Sequence, residues 1–259
     1  EGLAWLKRKL FKLGDVEKID FEGIKPDRRT IFPAGLAILE AIFDALELQR
    51  MDHCEGALRE GVLYDLLGRQ REKDMRDSTV TQFKRRYHVD VPQAQRVAAL
   101  AERLFRMVSA DALDEDMLKR VLWAARLHEI GLTIAHTAYH KHSAYILTNA
   151  DMPGFSRREQ SVLAAIVLGH RGDMGKMVKE VTDPALWPAV LSLRLAALFY
   201  RSRNELDINA VHGLTQTMNG YALTVGKDWL AANPLTTAAF RQEIAQWKAI
   251  GVALELRGD

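Results

Sequence analysis

Residues 121–147 constrain the fold more than any other stretch of this chain. They read VLWAARLHEIGLTIAHTAYHKHSAYIL, in which an apolar helical pattern ends at His128, breaks at Gly131 and begins again near His140. Apolar residues three and four positions apart lie on one face of a helix, so the pattern predicts two amphipathic helices joined by a turn. The same periodicity recurs in the middle of the chain, at 92–109, 112–127, 140–150, 156–170 and 184–203. We therefore expect a mainly helical protein.

The N-terminal part of the chain has a less uniform pattern. Helical periodicity predicts helices at 3–13, 33–48 and 57–67, and a strand-like stretch lies at 49–53. Residues 69–87 are dense in charged side chains, which indicates a linker or a solvated helix face. A first domain is therefore expected to end just before this charged segment.

The C-terminal part combines strand and helix signals. β-branched and polar residues alternate in LDINAVHGLTQTMNGYALTVG, which predicts a short hairpin. Residues 234–248 then return to a helical pattern. We expect three domains, comprising residues 1–68, 69–203 and 204–259, of which the last is a small α+β domain.

Composition narrows the class of protein. The sequence has 36 Lys and Arg against 34 Asp and Glu, a net charge of +2, so any polyanion site must arise from local clustering. Cys54 is the only cysteine, which rules out an internal disulfide and fits a reducing compartment. Arg or Lys interrupts the apolar runs before they reach a membrane-spanning length. We expect a cytoplasmic protein without nucleic-acid partners, whose membrane contact, if any, is peripheral.

Five of the eight histidines lie between His128 and His170, which is typical of a metal site or of a cavity for an anion. The arrangement resembles the HD phosphohydrolase domain, with glutamate in place of its aspartate. Such a metal site needs a histidine on an earlier helix and an aspartate on a later one. Here those helices read VPQAQRVAALAERL, without histidine, and LSLRLAALFYRSR, with Arg194, Arg201 and Arg203. Cations repel a metal and attract phosphate, so the pattern favours an anion site.

Three segments resemble one known family more specifically. GALREGVLYDLL at 56–67, RLHEIGLTIAHTAYHKHSAYIL at 126–147 and LGHRG at 168–172 are similar to the exopolyphosphatase and guanosine pentaphosphate phosphohydrolase family. The similarity is greatest to its bacterial exopolyphosphatase branch. It implies that 1–68 end an RNase H-like lobe of the actin superfamily and that 69–203 form a degenerate HD-like helical domain. The catalytic glutamate and the phosphate-binding glycine loops would then lie outside this chain.

The resemblance implies the C-terminal half of an enzyme that hydrolyses the terminal phosphate of inorganic polyphosphate, with magnesium as the cofactor of the complete enzyme. This chain alone is then expected to be inactive, to bind and guide polyphosphate, and to support a homodimer. Two alternatives stay open: a region of a guanosine pentaphosphate phosphohydrolase, and a purely structural dimerisation module. An independent metal-dependent HD-type hydrolase is disfavoured by its missing ligands.

The expected substrate-binding residues are guanidinium and imidazole side chains, which donate hydrogen bonds to phosphate oxygens without a metal. By the same resemblance, Arg28 is the candidate for binding substrate close to the active site of the complete enzyme. The candidates for a polymer channel are His128, His136, His140, His142, His170, Arg171, Arg194, Arg201 and Arg203. For the three late arginines, a surface position near a helix end is equally consistent with the sequence. Glu129 is expected to fix a histidine tautomer, and no catalytic residue or metal ligand is expected.

Overall fold

The computed structural model describes residues 2–51, 74–181 and 183–259, which divide into two compact units after residue 60. The described part of the first unit contains α1 (Gly2–Leu13) and α2 (Phe32–Ala45). Both helices were predicted, and a proline in the first turn of α2 provides a favourable start.

One prediction in the first unit is wrong. Residues 49–51 of the strand-like stretch form no strand, because the chain there has no partner strand within the described residues. The rest of that stretch and the helix predicted at 57–67 lie outside the described residues.

The second unit is built mainly from helices. They are α3 (Met75–Arg86), α4 (Val91–Val108), α5 (Glu115–Leu127), α6 (Tyr139–Asn149), α7 (Arg157–Gly169), α8 (Met174–Glu180), α9 (Trp187–Phe199), α10 (Lys227–Ala232) and α11 (Pro234–Ala249). Side-chain caps define several of their starts. Asp90 and Asp114 accept hydrogen bonds from backbone N–H groups of the first turns of α4 and α5, and Ser156 forms a capping box at α7.

A three-stranded sheet completes the second unit, with β1 (Val211–Thr217), β2 (Gly220–Val225) and β3 (Ala253–Gly258). The predicted hairpin is present as the antiparallel pair of β1 and β2, while β3 adds in parallel to the other side of β2. Val211, Leu214 and Leu223 are buried in the same apolar core as the helices. The domain boundary expected after residue 203 stays a prediction, since the described residues on both sides of it fall into one compact unit.

The described part of the charge-dense segment is helical, because residues 75–86 form α3 and bury Val80 and Phe83. Residues 69–73 lie outside the described residues. Arg76 is also buried, and its guanidinium contacts Asp74 at 2.7 Å and Glu159 at 2.6 Å. Burial acts to raise the pKa of Asp74, but the hydrogen bonds from Arg76 outweigh it and leave that pKa below its ordinary value. The prediction of a solvated face is therefore wrong for the side of α3 that carries Arg76.

Within the described ranges, no helix combines the length and the apolar character needed to cross a bilayer.

Candidate anion-binding site

A cavity of about 630 Å³ opens in the second unit where α5, α7 and α9 end, opposite one face of α11. It brings together most of the residues that the sequence pointed to as substrate-binding. Those lining it are His128, His136, His170, Arg171, Arg194, Arg201 and Arg203.

The remaining candidates do not line this cavity. His140 packs against His170 with ring centroids 6.2 Å apart, and its buried Nδ1 has no hydrogen-bond partner in the part of the chain that the structure describes. Burial, together with nearby cations, lowers the pKa of His140 to about 4. His142 is half-buried outside the lining. Arg28 belongs to the first unit, where its side chain is 67% exposed.

His128 and His170 follow directly on the last turns of α5 and α7, and their rings meet edge to face with centroids 5.1 Å apart. The Nδ1 of His128 lies 2.7 Å from the carbonyl oxygen of Ala125, and that of His170 lies 2.5 Å from the carbonyl oxygen of Val167. A carbonyl oxygen only accepts, so each Nδ1 carries the proton and each Nε2 is an acceptor in the neutral ring. The expectation that Glu129 fixes the tautomer is wrong for both, because backbone carbonyls do so.

The two rings are also held in the neutral form. Burial lowers the pKa of His128, with Arg203 adding to the effect and Glu129 opposing it. Burial lowers the pKa of His170 well below its ordinary value, and the neighbouring His128 and His140 lower it further. Donation from Nε2 to a phosphate, which we expected from the sequence, would therefore require protonation of these rings.

Arg203 joins three segments around the cavity. Its Nη1 donates to Asp90 Oδ2 at 2.8 Å, and its Nη2 donates to Glu129 Oε1 at 2.7 Å. The backbone of Arg203 is left-handed, with φ of 59°, a conformation that residues with a Cβ rarely adopt. The two ion pairs provide interactions that can offset this backbone strain.

Arg194 is only 5% exposed, so the surface position considered for it is wrong. Its guanidinium pairs with Glu243 and donates to the carbonyl oxygens of Gly169 at 3.0 Å and Gly172 at 2.8 Å. Glu243 also accepts from Trp247 Nε1 at 2.7 Å. Arg194 therefore fixes the turn after α7 against α11, with its donors directed at protein groups.

Arg171 and Arg201 are the cavity cations with donors available to a ligand. Both side chains are exposed, and neither guanidinium makes a hydrogen bond or ion pair within the described ranges. The guanidinium of Arg171 lies 5.1 Å from the ring centroid of Tyr139, a cation–π contact that orients it. Tyr139 in turn places its hydroxyl 3.4 Å from His170 Nε2.

Sequence reasoning missed much of the polar lining, which includes Gln93, Asp173, Gln242, Glu243 and Gln246. A signal was present for two of them. Gln93 continues the buried stripe of Val97 and Leu100 on α4, and Glu243 lies between the buried Phe240 and Trp247 on α11. A polar residue in the buried stripe of an amphipathic helix needs a polar partner, which here is found across the cavity wall.

The donor set suits an anion better than a metal ion. Among the residues that the structure describes, no group of three or more His, Cys, Asp or Glu side chains is arranged to hold a metal. Glu129, the carboxylate nearest to His128, is already paired with Arg203. A cation beside the carboxylate opposes binding of a second positive charge.

Residues 75–244 match the family described as Ppx/GppA phosphatase, domain III, and residues 1–70 match the Ppx/GppA phosphatase family. The chain belongs to the Ppx/GppA phosphatase family. The family resemblance drawn from the sequence is therefore confirmed, and all residues that line the cavity except Gln246 lie within the Ppx/GppA domain III match.

Two curated relatives of this Ppx/GppA chain are named guanosine-5'-triphosphate,3'-diphosphate pyrophosphatase. The protein from Pseudoalteromonas translucida (strain TAC 125) is 37% identical over 257 residues, covering 97% of this chain and 51% of the relative. The protein from Vibrio atlanticus (strain LGP32) is 35% identical over 245 residues, covering 93% and 49%. The chain thus spans about half the length of the curated relatives it matches.

Proposed function

We propose that this chain is the C-terminal region of a guanosine pentaphosphate phosphohydrolase and that its cavity binds phosphate groups of the nucleotide. The observation that carries the proposal is the convergence of Arg171 and Arg201, both with available donors, on one cavity of about 630 Å³. Cavities of roughly 300–1,000 Å³ suit small-molecule ligands. The names of the two relatives support a guanosine nucleotide, which the resemblance to the exopolyphosphatase branch had placed second to polyphosphate.

Charge pairing in the cavity explains why the two arginines matter. Arg194 is neutralised by Glu243, and Arg203 by Glu129. Arg171 and Arg201 remain as cations at the exposed side of the cavity. Guanidinium groups form charge-assisted, often bidentate, hydrogen bonds with phosphate oxygens. The site therefore favours phosphate at its entrance while its interior stays close to neutral.

Inorganic polyphosphate is a second candidate ligand. The exposure of Arg171, Arg201 and His136 favours it, because a long chain bound at the entrance could continue into solvent. Both ligands present the same phosphate oxygens to these side chains. The Ppx/GppA family assignment is compatible with either substrate.

No catalytic step is assigned to the described residues. We propose that this chain alone releases no phosphate, and that magnesium acts in the complete enzyme outside the cavity described above. We also propose that the chain forms a cytoplasmic homodimer. Light scattering would test this directly by measuring the molecular mass in solution.

Calorimetric titration of the chain with guanosine 5'-triphosphate 3'-diphosphate and, separately, with long-chain polyphosphate tests the proposed function. We expect the nucleotide to bind, and binding to weaken as salt is raised because the contacts are ionic. Tighter binding of polyphosphate per bound site would favour the second candidate. Absence of binding by both ligands at low salt would contradict an anion-binding role.

A further inference from the structure

We propose that His128 and Glu129 form an acceptor pair that recognises a hydrogen-bond donor on the ligand, and thereby selects nucleoside phosphates over inorganic polyphosphate. The inference rests on the proposed function and specifies how the same cavity distinguishes its ligands. In this inference, His128 and Glu129 determine ligand specificity, whereas Arg171 and Arg201 bind the phosphate groups.

The first half of the pair is Nε2 of His128. The proton of this ring is on Nδ1, which donates to the carbonyl oxygen of Ala125 at 2.7 Å. The residue is 2% exposed, and no group in the described part of the chain donates a hydrogen bond to Nε2. Because His128 lines the cavity and is otherwise largely shielded from solvent, a ligand group that donates to Nε2 gains more than it would in water.

The second half is the carboxylate of Glu129, which is 9% exposed. Its Oε1 accepts from Arg203 and lies 3.9 Å from Nε2 of His128, whereas its Oε2 accepts no hydrogen bond from the described residues. Two acceptors facing each other cannot bond directly while the imidazole is neutral. A ligand that places two O–H or N–H hydrogens between them would satisfy both.

His170 provides an internal comparison. It ends its helix in the same way and has the same tautomer, but its Nε2 faces the hydroxyl of Tyr139 at 3.4 Å. That acceptor therefore has a donor nearby within the protein. The acceptor left for a ligand is the one at His128, beside the carboxylate.

Ligand chemistry completes the argument. Internal units of ionised polyphosphate offer oxygen acceptors only, so they cannot donate a hydrogen bond to Nε2 of His128 or to Glu129. A nucleoside phosphate offers the same phosphate oxygens to Arg171 and Arg201, and in addition ribose O–H and base N–H donors. The cavity lining carries cationic donors and neutral or anionic acceptors together, which matches a ligand of this mixed character.

The test compares guanosine triphosphate with inorganic tripolyphosphate, two probes with the same number of phosphates, by titration of the 259-residue chain. We expect the wild-type chain to prefer the nucleotide. Glu129→Gln should reduce that preference about tenfold, because it replaces a charged acceptor with a neutral amide. Glu180→Gln, an exposed glutamate outside the lining, should leave the preference unchanged. 2',3'-Dideoxyguanosine triphosphate then separates ribose hydroxyls from base N–H groups as the donor.

The outcomes are distinguishable. Binding of both probes with equal affinity would overturn the inference and leave the anion-binding function standing, whereas binding of neither would remove both. A variant that changes both affinities by the same factor would show a merely structural role for Glu129. If Glu129→Gln fails to fold, ¹⁵N spectra of wild-type histidines decide, because the nucleotide should shift Nε2 of His128 and tripolyphosphate should not.

Discussion

Arg203 donates to Glu129 Oε1 at 2.7 Å from a backbone conformation with φ of 59°. The ion pairs and the strained backbone are linked, because the left-handed conformation of Arg203 directs its side chain toward both Glu129 and Asp90. Glu129 is nearly buried, so loss of Arg203 would leave its charge without a partner.

Two substitutions of Arg203 separate these effects. Arg203→Ala should lower the free energy of unfolding by about 1–2 kcal/mol, a value reduced for the 43% exposure of the arginine side chain. Arg203→Gly loses the same ion pairs but relieves the backbone, and should recover about 1 kcal/mol. Urea unfolding measures both, and a glycine variant less stable than the alanine variant would contradict the role of backbone strain.

Arg194→Met should be among the most destabilising substitutions in the second unit. It leaves Glu243 buried without its cation and removes donors from the carbonyls of Gly169 and Gly172, at a cost of about 3–5 kcal/mol. Adding Glu243→Gln should restore part of the loss. The matched control is Arg241→Met on the exposed face of α11, with an expected effect within about 0.5 kcal/mol. Equal unfolding midpoints for the two single variants would contradict a structural role for Arg194.

Gly131→Ala should destabilise the turn that positions His128 and Tyr139. A Cβ at Gly131 would lie 2.2 Å from the carbonyl oxygen of Tyr139 and 2.5 Å from the backbone nitrogen of Ser143. Backbone atoms cannot move aside cheaply, so we expect a loss of about 2–3 kcal/mol in thermal or urea unfolding. Gly35→Ala is the control, since its Cβ meets no described atom within 4 Å and alanine favours helix.

Stability should fall as the pH drops from 7 to 5. The native pKa values of His128, His140 and His170 are lowered mainly by burial, to about 4 for His140. The unfolded chain binds protons below about pH 6.5, whereas the native rings bind them only at lower pH. Their stabilisation is therefore present above pH 6.5 and is lost progressively below it.

Thermal unfolding between pH 7 and 5 measures this effect as a fall in Tm. His140→Gln should reduce the slope, and His136→Gln, at an exposed side chain, should not. Asp74 and Glu159, whose native pKa values are lowered, retain their contribution throughout this range and lose it only at more acid pH. A Tm that is constant or rises on acidification would show that the buried histidines do not control stability.

Local periodicity was enough to predict most of the helices. The pattern at 92–109 corresponds to α4 at Val91–Val108, and the hairpin signal corresponds to β1 and β2. The third strand was missed because its parallel pairing with β2 depends on contacts that are distant in sequence. The short α8 was also missed, since it has only seven residues.

The sequence predicted which kinds of residue line the cavity, but not which of them are available to bind a ligand. Clustering of histidine and arginine pointed to the cavity, yet the sequence could not separate Arg194, which is paired inside the protein, from Arg201, which is exposed. That difference depends on Glu243, forty-nine positions further along the chain. Likewise, the tautomer of His128 depends on a helix-end carbonyl, a detail that appears only in three dimensions.

Titration of guanosine 5'-triphosphate 3'-diphosphate into the Arg171→Gln/Arg201→Gln double variant tests the central claim most directly. Each lost charge-assisted contact should weaken binding about tenfold and reduce its salt dependence. Arg241→Gln, which removes one positive charge outside the cavity lining, serves as the control and should bind as the wild type does. A folded double variant that binds the nucleotide with wild-type affinity and salt dependence would contradict the claim that this cavity binds phosphate through Arg171 and Arg201.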